Sequence, residues 1–257
     1  MQTRFSITGL VLAVGFLLAG CGTMDTMKED QSMADMSEME EHEVMDDMES
    51  MSGGSPASFT VTIEVLRDSP TPLAPVAWAV YTGDNPLFTL NSATRIEGLE
   101  ALAEDGDPAA AVQALSTSME VTASGVADIP VGSMDAGSAA PGWSYSFSFQ
   151  AAEGEKLTFA AMYVQSNDLF FSPAAGGIEL FDMGSPISGD ITSEIYLYDA
   201  GTEANEAPGS GPNQAPRQGR PNTGPEEMGT VRLITEVSDG FMYPAAARVL
   251  KVTVSAM

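Results

Sequence analysis

The chain has one cysteine and one histidine in 257 residues. A single thiol, Cys21, cannot form an internal disulfide, a zinc cluster or an iron-sulfur site, so the fold must hold without staples. The lone His42 sits among methionines and acids rather than in a segment that reads as folded, which argues against every triad built on imidazole. Basic residues are also scarce: ten Lys and Arg face thirty-six Asp and Glu, for a net charge of -26. Such a surface repels a phosphate backbone, so nucleic acid is excluded as a partner and cations are favoured. No apolar run reaches the roughly 20 residues that span a bilayer as a helix.

What is present is enough apolar sequence, 44% of the chain, to build a core in one ordinary domain. Residues 1–20 read as an export signal. Arg4 supplies the positive start, and Ile7 to Ala19 form the apolar stretch. The Leu18, Ala19, Gly20, Cys21 sequence resembles a bacterial lipobox, which implies cleavage ahead of Cys21 and lipidation of that residue. The expected localisation is therefore outside the cytoplasm, held to a membrane by lipid. By the sorting rule of such lipoproteins, Gly22 in place of Asp directs the protein to the outer membrane where the cell has one; the expected place is the outer membrane or the cell surface or periplasm.

Residues 21–57 read as a disordered tether. Between Met24 and Met51 lie eleven acids, one lysine, eight methionines and no aromatic or proline, a composition that cannot build a core. The methionines at 24, 27, 33, 36, 39, 45, 48 and 51 are spaced by multiples of three. Each such step slips about 60° backwards on a helix, so the stripe spirals around instead of forming one face. A solvated, self-repelling spacer is the main expectation. The alternative is soft-metal capture, because thioethers select Cu(I) and Met33, Met36 and Met39 with His42 nearby offer soft ligands.

From Ser58 to Met257 the pattern changes to short strands. Phe59 to Leu66 alternates with period two, and Val76 to Tyr81, Ser118 to Ala123, Trp143 to Phe149, Leu157 to Val164, Ile178 to Phe181, Glu194 to Tyr198, Val231 to Val237 and Arg248 to Val254 are rich in β-branched or aromatic residues. These predict an all-β, antiparallel β-sandwich. Short helices are expected only at Ile96 to Ala103 and Pro108 to Leu115, the latter capped by Asp107. Ala200 to Pro225, with five prolines and five glycines, predicts a long loop of the kind that carries binding or is disordered.

Two acidic spots follow apolar strands: Ser166, Asn167, Asp168 after Leu157 to Val164, and Asp199 to Glu203 after Glu194 to Tyr198. If these strands and the short Ile178 to Phe181 strand between them form an up-down-up meander, Asp168, Asp199 and Glu203 reach the same pole, with Gly201 permitting the turn. Clustered carboxylates repel unless a cation or protons intervene, and an oxygen-only set suits calcium, with the amides of Asn205 or Gln214 able to complete the shell. The opposing reading is that these are separate, solvated loop acids.

The run from Phe159 to Phe171 (FAAMYVQSNDLFF), followed by Gly177, Ile178 and the YLYDAGTE stretch from Tyr196 to Glu203, resembles the spondin domain, which opens the animal matrix proteins F-spondin and mindin. The likeness extends over most of residues 58–255. It implies a C2-like β-sandwich with a calcium site whose ligands fall on Asp168, Asp199 and Glu203. Position 203 is Glu where the animal proteins carry Asp, and the animal cysteines are absent. Together these readings predict a non-enzymatic surface module for adhesion or for binding an extracellular carbohydrate or protein ligand. A glycosidase using Asp168 and Glu203 is the weaker expectation.

Overall fold

The described residues of this computed structural model are 55–257, apart from Thr94. The signal segment, the lipidation position Cys21 and the soft-metal candidates Met33, Met36, Met39 and His42 lie outside them. In chain order the elements are β1 (Ala57–Val65), β2 (Val76–Tyr81), α1 (Leu99–Asp105), α2 (Ala109–Leu115), β3 (Val121–Ala127), β4 (Ser144–Ala151) and β5 (Lys156–Met162). They continue with β6 (Leu169–Pro173), β7 (Ile178–Glu179), β8 (Phe181–Asp182), β9 (Ser185–Pro186), β10 (Gly189–Asp190), β11 (Ile195–Asp199), β12 (Arg232–Leu233) and β13 (Leu250–Ala256).

The strands form two antiparallel sheets and a small β8-β9 hairpin, which makes the all-β class of the sandwich plain. The smaller sheet runs β10-β13-β1-β4 and the larger β12-β11-β6-β5-β2-β3, with β7 beside β5. Alternation decides what each strand buries. In β1, Phe59, Val61, Ile63 and Val65 face inward, and across the gap β2 sends Val76, Trp78 and Val80 into the same core. The Trp78 indole stacks on Phe147 of β4 at 5.0 Å between ring centroids and lies 5.7 Å from Phe149, so aromatic contacts bridge the two sheets. Such pairs add about 0.5–1.5 kcal/mol each beyond the area they bury. Opposite Trp78 in the β2-β3 ladder stands Gly125, where a Cβ would come within 2.7 Å of the indole.

The larger sheet is covered on its outer face too. Ala77 and Ala79 of β2 and Ala160 of β5 meet Leu99, Leu102 and Ala103 of α1 and Ala111 and Leu115 of α2. Small residues on that face let the helices approach closely, and all six residues of β2 are buried in consequence. The helices are thus a third layer over part of the sheet rather than ornament. The expected Asp107 cap falls one residue early: Pro108 stands at the N-cap, and Asp107 Oδ1 accepts the Ala109 N–H at 2.9 Å.

Three departures from the expected strands matter. The middle strand of the meander is β6, not Ile178 to Phe181, which divides between β7 and β8. β6 (LFFSP) is buried on both faces along its whole length, so it carries no alternation to announce it. The third strand begins at Val121 rather than Ser118, and its small residues Ala123, Ser124 and Gly125 carry it to Ala127. Val231 to Val237 pairs only at Arg232 and Leu233, because the chain turns into a 3-10 helix at Ile234–Glu236.

Candidate functional site

β5 runs toward one pole of the larger sheet, β6 leaves it and β11 returns to it. The Leu169–Asp199 register pair places Asp168, one residue ahead of β6, next to the C-terminal end of β11. The loop after Asp199 then folds back over Asp168. Gly201 makes that turn at φ 66, and a Cβ on it would lie 2.7 Å from the Thr230 backbone. Asp168 is fully buried and its Oδ2 accepts the N–H groups of Thr202 (3.1 Å) and Glu203 (3.2 Å). Its carbonyl accepts the Ala200 N–H at 3.1 Å, while Oδ1 has no partner.

Asp199 is equally buried but well supplied. Oδ1 accepts the Gly201 N–H at 2.6 Å, and Oδ2 accepts Asn205 Nδ2 at 2.8 Å and Arg232 Nη2 at 2.9 Å. Arg232 also donates to Glu227 at 2.8 Å. Glu203 turns its carboxylate away from the other two: Oε1 accepts the Gly224 N–H at 2.6 Å, and Oε2 lies 3.4 Å from Asn167 Nδ2. The structure therefore brings Asp168 and Asp199 together and attaches the Glu203 backbone, but not its carboxylate, to Asp168. Gln214 is not part of this pole's open polar surface, because its amide is engaged with Ala207 and Gly209.

A fourth carboxylate enters that sequence reasoning missed. Glu104, in the last turn of α1, is only 3% exposed, and it raises the proton affinity of Asp168 while feeling Glu203 itself. Burial foremost, opposed by the nearby Thr202 hydroxyl and aided by Glu203, Glu100 and Asp105, pushes the Glu104 carboxyl up to about 7. Burial, then Asp199, also pushes Asp168 well above the ordinary carboxylate range, against the pull of the Glu203 and Thr202 N–H groups and with a further push from Glu104. Glu203 is raised, chiefly by burial. The Leu99, Leu102, Ala103 stripe of α1 ends one residue before Glu104, so periodicity gave no sign that it turns inward.

Five buried side-chain polar atoms among the described residues lack a hydrogen-bond partner, and three of them, Asp168 Oδ1, Thr202 Oγ1 and Asn205 Oδ1, belong to this pole. All three are oxygens. Thr202 Oγ1 stands beside Glu104 without reaching hydrogen-bond geometry. Unpartnered buried oxygens cost about 1–3 kcal/mol each; a cation would relieve them, as would a proton on Asp168, whose proton affinity is raised. Among the described residues, no three Asp, Glu, His or Cys side chains are already drawn into a shared metal-holding arrangement. Asp168 has an open oxygen, and Asp199 and Glu203 have oxygens shared with hydrogen-bond donors.

No protein-family model matches this chain, and no curated protein does. The likeness to the spondin domain rests on the residues quoted for it.

Proposed function

We propose that the protein is an exported, lipid-anchored surface protein whose spondin-like sandwich binds calcium at the β5-β6-β11 pole and acts as a non-enzymatic adhesion or ligand-binding module. The observation that carries this reading is the fully buried, unpartnered Asp168 Oδ1 on a carboxylate whose Oδ2 accepts the Thr202 and Glu203 N–H groups, with Thr202 Oγ1 and Asn205 Oδ1 of the same loop also unpartnered. The pole holds four buried carboxylates and one arginine, Arg232, to offset them.

Asp168, Asp199 and Glu203 would hold the ion, with Asn205 and Thr202 supplying neutral oxygens and Glu104 adding charge behind them. Calcium supplies charge compensation and a flexible shell of six to eight oxygens. The chain's own part is to gather the ends of β5 and β11, the start of β6, the tip of α1 and the loop from Ala200 onward at one place. Fixing those segments would give the pole a defined surface for an extracellular carbohydrate or protein. The carboxylates are buried and anchored by backbone N–H groups, and the described residues contain neither histidine nor cysteine, which supports binding over catalysis.

Isothermal calorimetry on the full chain tests this reading. Calcium should bind at roughly 0.1–1 mM, in the manner of extracellular modules, and Asp199→Ala should abolish the heat. Absence of heat in the wild-type protein overturns the reading. The Met-rich arm as a Cu(I) site is a separate proposal resting on its spacing, and Cu(I) competition against a chain with the tether methionines changed to Leu separates the two.

A further inference from the structure

Methionine is among the residue types most often found inside proteins. Here the pattern is reversed. Of the seven methionines among the described residues, Met162 alone is buried, at 0% exposure, while Met119, Met134, Met183, Met228, Met242 and Met257 range from 79% to 102% exposed. All six lie outside helices and strands, on five separate loops and at the C-terminal residue. Exposed as they are, they bury almost no apolar surface for the fold, so packing does not account for them. Their dispersal over separate loops also does not suit a shared metal site.

A solvent-exposed thioether that shares no metal site still has two-electron oxidation to the sulfoxide open to it, and its rate follows exposure. We infer that these six side chains form an oxidant-consuming shell around the sandwich, with hypochlorous acid as the class of oxidant. Each thioether sulfur takes up the oxygen of hypochlorous acid and the O–Cl bond breaks. Chloride and a proton leave, and the two electrons lost by sulfur are those gained by chlorine. The product is polar, but at these positions it projects into water and disturbs no packing. Met162 is the counter-case: it packs with Ala74 and Val164 behind β5, where a sulfoxide would be trapped in an apolar site. Among the seven described methionines, Met162 is the one that needs shielding and the one that has it. Methionine sulfoxide reductases would regenerate the shell.

The test treats the full chain with graded hypochlorous acid and reads each methionine by peptide mass spectrometry. The six exposed positions should each gain one oxygen, at least about tenfold faster than Met162, whose oxidation needs local opening. The melting temperature should stay unchanged at the dose that converts all six. A methionine-containing reporter peptide in the same tube should be oxidised more in the presence of a variant with all six changed to Gln than with wild type. A six-Leu variant serves as a second version of the same comparison. Oxidation of Met162 at the rate of the others, a fall in melting temperature on conversion of the six, or equal reporter damage with wild type and both variants would each overturn the inference.

Discussion

The two ends of β5 and β6 solve opposite problems. In their middle, Phe159, Ala161 and Phe171 join a core in which Phe59, Trp78, Phe147 and Phe149 interlock across the sheets. A few residues on, Asp168 and Asp199 are buried as deeply, yet three oxygens around them have no partner. Core stability depends on shape and area and is indifferent to pH, salt or metal. The pole's stability depends on what neutralises it. The comparison teaches that one pair of strands can carry both a condition-independent scaffold and a condition-dependent site, provided the polar residues are confined to the strand ends.

The largest expected effect lies in the core. Phe159→Ala should cost about 3–5 kcal/mol in denaturant unfolding, by lost transfer energy and the cavity left behind. That cost should be the same with calcium and with chelator. A calcium-dependent cost would show that the two regions are coupled and break the comparison.

Next comes the proton dependence of the pole. Glu104 has a folded-state pKa raised from 4.5 to about 7, so the folded state holds its proton more tightly than the unfolded chain. The contribution of this group is fully present below pH 4.5 and is lost as pH rises through about 7. In chelator, the difference in stability between wild type and Glu104→Gln should change by on the order of 3 kcal/mol across that window, with the variant relatively more stable at the alkaline end. A difference that stays flat with pH would place Glu104 in a solvated setting.

The smallest effect is the ion's own. At calcium tenfold above its dissociation constant, wild type should gain about 1.4 kcal/mol. The Phe159→Ala chain should gain the same increment, because distant sites add. Unequal increments would be the same coupling seen from the ion's side, and would count against the separation of the two regions.

Much of this division was legible in the sequence, for physical reasons that differ by element. β2 matches its expected span because a run of β-branched, aromatic and alanine residues bounded by Pro75 and Thr82 fits little else. β1 and β4 alternate, since only one face of their sheet meets the core. β6 has covered faces on both sides and ends at Pro173, so its pattern is featureless and the sequence pattern draws the meander through Ile178 to Phe181 instead. Asp168 and Asp199 still meet, because β5 and β11 flank β6 and end at the same side, whereas the Glu203 carboxylate does not join them. Side-chain direction was not legible: nothing in the DAGTE run says that Glu203 turns toward Gly224 or that Glu104 arrives from α1. Those outcomes are set by tertiary packing.

The most direct test of the central claim is a crystal structure of the full chain grown with calcium. An ion is expected about 2.3–2.6 Å from Asp168 Oδ1, with oxygens of Asp199, Glu203 and Asn205 in the same shell. A pole that stays without an ion at saturating calcium, or an ion bound elsewhere with Asp168 Oδ1 still unpartnered, would contradict it.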